Sequence, residues 1–154
     1  MGLIIDTNVF IDAENNRLDL SQISALQNQT VYIAAVTVSE LLAGVALAKT
    51  ADEKINRHAF VENILNAVPV LDFDTEVARI YAELYAHALS TATQNKRQKL
   101  NAHDLQIAAT ALVYGHQILS ANSKDFKDIP GIQVINPHAD NMIHDDAAEY
   151  SADN

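Results

Sequence analysis

The chain has 154 residues, nearly half of them hydrophobic, and no cysteine, which describes one domain able to bury a sizeable core and excludes disulfide and thiol chemistry. Its formal charge of −10 argues against broad electrostatic binding of nucleic acid, which needs a basic footprint. No apolar run approaches the roughly 20 residues that span a bilayer, and strand-like residues begin at position 3 with no basic n-region before them, so a soluble, cytoplasmic protein is expected.

Leu3-Ile4-Ile5 is an apolar run without polar relief, as in a strand buried on both faces. It ends at Asp6, and Thr7 and Asn8 follow, residues that favour turns and helix caps. Asp6 is thus either a carboxylate delivered at a strand end or simply a helix cap. Val9 to Ala13 begins a helix, Asp19 or Ser21 caps a short second one through Ile23 and Leu26, and Val31 to Ile33 reads as a strand. Thr37-x-x-Glu40 has the form of a capping box opening an apolar helix, Leu41 to Ala48, which suits either the core or an interface. Glu53 to Ala67 has helical spacing, with Ile55, Phe60, Ile64 and Leu65 toward the core.

Pro69 ends that helix, Val70 to Phe73 is a strand, and Asp74 caps a long helix marked on one face by Val77, Ile80, Tyr81, Leu84, Tyr85 and Ala88. Ser90 to Asn101 is polar and reads as a loop or frayed helix end; it carries Lys96, Arg97 and Lys99. Lys49, Lys54 and Arg57 form a second basic group, and each group has solvated helix ends as its ordinary explanation. His103 to Tyr114 is a helix stopped by Gly115, Gln117 to Ser120 a strand, Asn122 to Asp128 a loop and Ile132 to Ile135 a last strand. Residues 1–138 form one body. Residues 139–154 hold Asp140, Asp145, Asp146, Glu149 and Asp153 with no Lys or Arg, an acidic tail expected to be mobile. Strands alternating with helices imply an α/β fold of three layers, helix–sheet–helix, on a mainly parallel central sheet.

Acids follow a strand or open a helix at Asp6, Glu40, Asp104 and Asp125. Singly each has a structural explanation as a cap or turn residue, and acids in a first helical turn are favoured in any case. If all four reach the C-terminal edge of one sheet, they share a crevice. Two like charges about 4 Å apart repel by roughly 4 kcal/mol at an effective dielectric of about 20, so such a crevice takes up protons or cations. Hard oxygen donors without cysteine or a histidine pair suit Mg²⁺ or Mn²⁺, ions that lower the pKa of a bound water and neutralise a phosphodiester.

Ile4-Ile5-Asp6-Thr7-Asn8-Val9-Phe10-Ile11, Thr37-Val38-Ser39-Glu40-Leu41-Leu42-Ala43-Gly44-Val45 and Asp104-Leu105-Gln106-Ile107-Ala108-Ala109-Thr110-Ala111 resemble the signatures of PIN-domain proteins. The similarity runs from Met1 to about His138 and is nearest to the VapC/FitB-like toxins of bacterial type II toxin–antitoxin pairs. It implies a PIN-like nuclease domain over residues 1–138 and a Mg²⁺- or Mn²⁺-dependent ribonuclease. It also implies a homodimer held inactive by a cognate VapB/FitA-like antitoxin, with promoter DNA reached only through that antitoxin. Asp6 and Asp104 match the family's main metal-binding aspartates and Glu40 the acid between them. The fourth position departs from the pattern: in Ser120-Ala-Asn122-Ser-Lys-Asp125-Phe126, Asp125 is the favoured acid with Asn122 in support.

Thr7, Asn8 and Ser120 are expected to hydrogen-bond the acids, and Lys96, Arg97 and Lys99 to steer RNA. His103 is read as a surface histidine, with a phosphate contact as the alternative; His138 and His144 flank the acidic tail, and His58, His87 and His116 show no constellation. The competing function is a weakly catalytic or non-catalytic partner acting through the antitoxin complex. An aspartyl-phosphate mechanism of the Asp-x-Asp kind is disfavoured because position 8 is Asn.

Overall fold

The computed structural model describes residues 1–93 and 101–139. Five parallel strands, β1 (Leu3–Ile5), β2 (Val31–Ala34), β3 (Val70–Leu71), β4 (Gln117–Leu119) and β5 (Val134–Ile135), form one sheet in the order β3-β2-β1-β4-β5. The central position of β1 explains its composition. With neighbours on both edges and helices on both faces, Leu3 and Ile4 are completely buried and Ile5 is 3% exposed. The side-chain period of two splits the run: Leu3 and Ile5 join one core cluster and Ile4 the other.

The first cluster gathers Val9 and Phe10 from α1 (Thr7–Glu14), Leu41 and Val45 from α3 (Ala35–Ala46), and Val61 and Ile64 from α4 (Ala51–Ala67). The second gathers Val77 and Leu84 from α5 (Thr75–Thr91) and Leu105, Ile107, Ala108, Ala109 and Ala111 from α6 (Ala102–Tyr114). The three expected layers are therefore present; a short helix α2 (Ser24–Asn28) completes the first layer. Among the described residues no helix is long and apolar enough to cross a membrane.

Several boundaries move, each for an identifiable reason. α3 starts at Ala35 directly after β2, with no side-chain cap at its N-cap Ala34. Thr37 is fully buried and shares the inward stripe with Leu41 and Val45, at four-residue spacing, so it packs inward and does not cap. The capping box expected there does not form. The same helix leaves Leu42 and Leu47 exposed, so it is core on one side only. In α4 the buried positions are Val61 and Ile64, with Phe60 and Leu65 packed against them, whereas Ile55 is 65% exposed. β3 and β5 are two residues each, shorter than expected, as suits edge strands paired on one side.

Other local signals hold. Asp74 caps α5 by accepting from the Val77 N–H at 3.0 Å, and Gly115 ends α6 in the left-handed conformation at φ 68°. α5 runs on to Thr91, so the expected loop begins later; residues 94–100, which include Lys96, Arg97 and Lys99, lie outside the described residues, as does the tail beyond 139 with His144. Arg57 is engaged by Glu53 at 2.6 Å, Glu14 at 3.5 Å and the Gly44 carbonyl at 3.0 Å, which ties α1, α3 and α4 together. That member of the second basic group is therefore structural.

Candidate active site

The chain leaves β1 toward β2 and β3, then returns to lay β4 and β5 on the other side of β1. This reversal puts a crevice at the C-terminal ends of β1 and β4, where open parallel sheets bind ligands. Asp6 stands at the end of β1 and Ser120 at the end of β4, joined side by side because the Asp6 N–H donates to the Leu119 carbonyl at 2.9 Å.

Asp6 is 4% exposed and has a donor on each oxygen. The Thr7 N–H donates to Oδ1 at 2.7 Å and the Ser120 hydroxyl to Oδ2 at 2.8 Å. It is the N-cap of α1 as well as the acid at the strand end, so both sequence readings hold at once. Ser120, itself fully buried, accepts from Asn8 Nδ2 at 3.3 Å and from the Asn122 N–H at 3.0 Å, while Asn8 Oδ1 takes the Ala121 N–H at 3.1 Å. The expected supporting residues thus form one connected net around Asp6. Asn122 enters it through its backbone.

Glu40 lies a turn and a half into α3, and both of its oxygens are engaged: Thr7 Oγ1 donates to Oε1 at 2.8 Å, and Nδ1 of His103 stands 3.2 Å from Oε2. Asp104 occupies the first turn of α6 behind the N-cap Asn101, whose side chain accepts from the His103 N–H at 3.0 Å. A helix N-terminus favours the ionised acid, yet Asp104 is pushed up to about 7. Burial is the largest cause, followed by the charges of Asp6, Asp125 and Glu40, with a hydrogen bond from Asn101 opposing them. Asp6 is raised as well, first by burial and then by Glu40 and Asp125, against the hydrogen bonds from Ser120 and Thr7.

Asp125, in the 3₁₀ turn Ser123–Asp125, acts on both aspartates and shares with Asp104 a cavity of about 390 Å³ floored by Leu84, Leu105 and Ile129. Glu40 and Asp125 thus act on both Asp6 and Asp104, and Asp104 and Asp125 line the same cavity. As the side chains stand, no trio of acids and histidines among the described residues is drawn up closely enough to hold an ion. The donor set nonetheless fits a hard divalent cation in kind and in charge: carboxylate oxygens, two of which are raised by burial and then by neighbouring carboxylates.

His103 is the surface histidine at a helix start that the sequence suggested, but its contact with Glu40 was not foreseen. No spacing rule links residues 40 and 103, and only the packing of α3 beside α6 joins them. Asn101, the N-cap of α6, also hydrogen-bonds the Asp104 carboxylate. His138 pairs through Nε2 with Asp12 Oδ2 at 3.0 Å, fastening the end of the described chain to α1. His116 accepts the Gly2 N–H at 3.0 Å and stacks on Tyr32.

The chain belongs to the PIN-domain family, whose model matches residues 3–132. Within it, the chain is 34% identical over 139 residues to the ribonuclease VapC1 of Rickettsia felis, covering 88% of this chain and 96% of that protein. It is 30% identical over 144 residues to the toxin FitB of Neisseria gonorrhoeae, covering 90% and 99%. Among solved structures, VapBC2 from Rickettsia felis bound to a DNA fragment from its promoter matches with a TM-score of 0.76 over 88% of this chain and 98% of that one, at 24% identity, a likeness of fold.

Proposed function

We propose that this protein is a divalent-metal-dependent endoribonuclease, the toxin of a type II toxin–antitoxin pair. The observation that carries the proposal is a pair of aspartates at the sheet's switch point, Asp6 and Asp104, each raised first by burial and then by the charges of Glu40 and Asp125, with Asp104 raised to about 7. A pocket that resists holding its own negative charge is suited to a cation. The relatives named ribonuclease and toxin support the reaction class.

Mg²⁺ or Mn²⁺, when bound, would lower the pKa of a water and neutralise charge on the phosphodiester. Asp6 and Asp104 would anchor the ion, Glu40 would hold it directly or through water and orient the attacking water, and Asp125 would add charge and a ligand oxygen at the cavity side. Ser120 and Thr7 fix the Asp6 carboxylate in one orientation before any ligand arrives. The steering role of Lys96, Arg97 and Lys99 and assembly as a homodimer in the cytoplasm belong to the same proposal. So does capture by a VapB/FitA-like antitoxin that alone contacts promoter DNA, in keeping with the VapBC2 complex.

The experiment is incubation of the purified protein with mixed RNA in Mg²⁺ and in EDTA. Cleavage in Mg²⁺ that is lost in EDTA and in Asp6→Asn is expected. RNA or antitoxin binding with no cleavage would instead favour the partner that acts through its complex.

A further inference from the structure

His103 touches the acid set yet has no part in the roles described above. Its Nδ1 lies 3.2 Å from Glu40 Oε2, and Thr7 Oγ1 donates to Oε1 of the same carboxylate at 2.8 Å. The contact stands at ion-pair distance, and since an ionised carboxylate only accepts hydrogen bonds, Nδ1–H is the form of the ring that this contact favours. Asp6 has a hydrogen-bond donor on each oxygen, and Thr7 supplies one donor to each acid: its N–H to Asp6 and its hydroxyl to Glu40. The second neighbour is the Ser120 hydroxyl for Asp6 and the His103 ring, at ion-pair distance, for Glu40.

Glu40 needs such a neighbour more than Asp6 does. A glutamate has more rotatable bonds than an aspartate, and restricting them is part of the cost of bringing its carboxylate to one place. Its side chain is also 28% exposed, so packing alone does not fix it. His103 is the second residue of α6 and Asp104 the third, so the ring ties Glu40 of α3 to the very turn that carries Asp104.

We propose that His103 is a positioning residue: through Nδ1–H it holds the Glu40 carboxylate in place relative to Asp104 and Asp6, presetting the acids for a divalent cation. The inference rests on the nuclease reading above. It concerns this chain's own geometry before metal or RNA is present, so it can be tested in the metal-free protein.

Asparagine sets its amide nitrogen where Nδ1 stands; glutamine reaches instead toward the place of Nε2. Mn²⁺ is titrated calorimetrically, without RNA, into metal-free wild type, His103→Ala, His103→Gln and His103→Asn. Loss of a residue that orients a ligand costs about 10- to 100-fold in metal affinity, and the exposed position of His103 points to about 10-fold for Ala and Gln. Asn should bind nearly as tightly as wild type. kcat for RNA should fall in parallel with KM unchanged, and all four unfolding midpoints should agree, since the half-exposed ring adds little to the core. In metal-free protein the ring Nδ1 resonance of His103 should move on Glu40→Gln.

Mn²⁺ affinity in His103→Ala equal to wild type would overturn the proposal, and so would His103→Asn as weak as His103→Ala. A rise in KM alone would reassign the ring to the RNA and overturn it too. Wild type that neither binds Mn²⁺ nor cuts RNA would sink the nuclease reading itself, whereas active wild type matched by His103→Ala sinks only the role of His103.

Discussion

Asp6 and Glu40 each have a polar neighbour at both oxygens, but they sit in opposite surroundings. Asp6 is 4% exposed and its second donor, Ser120, is fully buried at the end of the neighbouring strand. The Glu40 side chain is 28% exposed, and its second neighbour is a ring 48% exposed on another helix. The Asp6 side is therefore part of the sheet's own construction, while the Glu40 side is an arrangement of side chains laid over it. Breaking the first should cost fold and function together; breaking the second should cost function alone.

The largest effect is expected for the acids themselves. Asp6→Asn and Asp104→Asn should each lower Mg²⁺-dependent RNA cleavage by about a thousandfold or more, roughly 4 kcal/mol of transition-state stabilisation, measured as kcat/KM on a defined RNA. Ser120→Ala comes next. It leaves an oxygen of Asp6 and the Asn122 N–H without their partner, so unfolding in denaturant should show a loss of about 1–3 kcal/mol, together with weaker Mn²⁺ binding. Thr7→Val sharpens the contrast because it removes only the hydroxyl: the N–H bond to Asp6 remains and the bond to Glu40 goes. Its Mn²⁺ affinity should fall by about 10-fold, as for His103→Ala, and an effect as large as that of Ser120→Ala would erase the distinction between the two sides.

The smallest effect concerns pH. Asp104 is raised from 3.8 to about 7 in the folded protein, so the folded state binds its proton more tightly than the unfolded chain does. Stability from that proton is fully present below the unfolded value and is lost as pH climbs through about 7, with Asp6 shifted in the same direction. In EDTA the wild type should therefore weaken from about pH 4 to about pH 7, and Asp104→Asn should flatten that slope. The variant should be more stable at about pH 8 by on the order of 1 kcal/mol, a figure discounted for the partial exposure of Asp104. Denaturant midpoints across this range decide it, and a variant with the wild-type slope would show that Asp104 is not the group that titrates.

Legibility from the residues followed the range of the interaction. Leu3-Ile4-Ile5 announced a doubly buried strand because the signal is local and strong, and Asp74 and Gly115 marked helix ends for the same reason. Thr37 misled because a capping-box pattern and a buried stripe at four-residue spacing overlap on one residue, and burial won. Ile55 misled because α4 carries apolar residues on more than one side and only its partners decide which side is covered. The four acids could be named as candidates from apparent strand ends and helix starts, although Glu40 lies a turn and a half into α3, but the effect of Glu40 and Asp125 on Asp6 and Asp104 could not.

By itself the sequence determined the alternation of strands and helices, the double burial of the first strand, the candidate acids Asp6, Glu40, Asp104 and Asp125, and the family resemblance that the comparison bore out. These are fixed by neighbours within a few residues, through periodicity, capping and turn chemistry. Tertiary structure alone decided that Thr7 serves two carboxylates, that Ser120 meets Asp6 across 114 positions and that His103 meets Glu40. Such contacts depend on which strands pair and which helices lie side by side, and no periodicity in the chain encodes them.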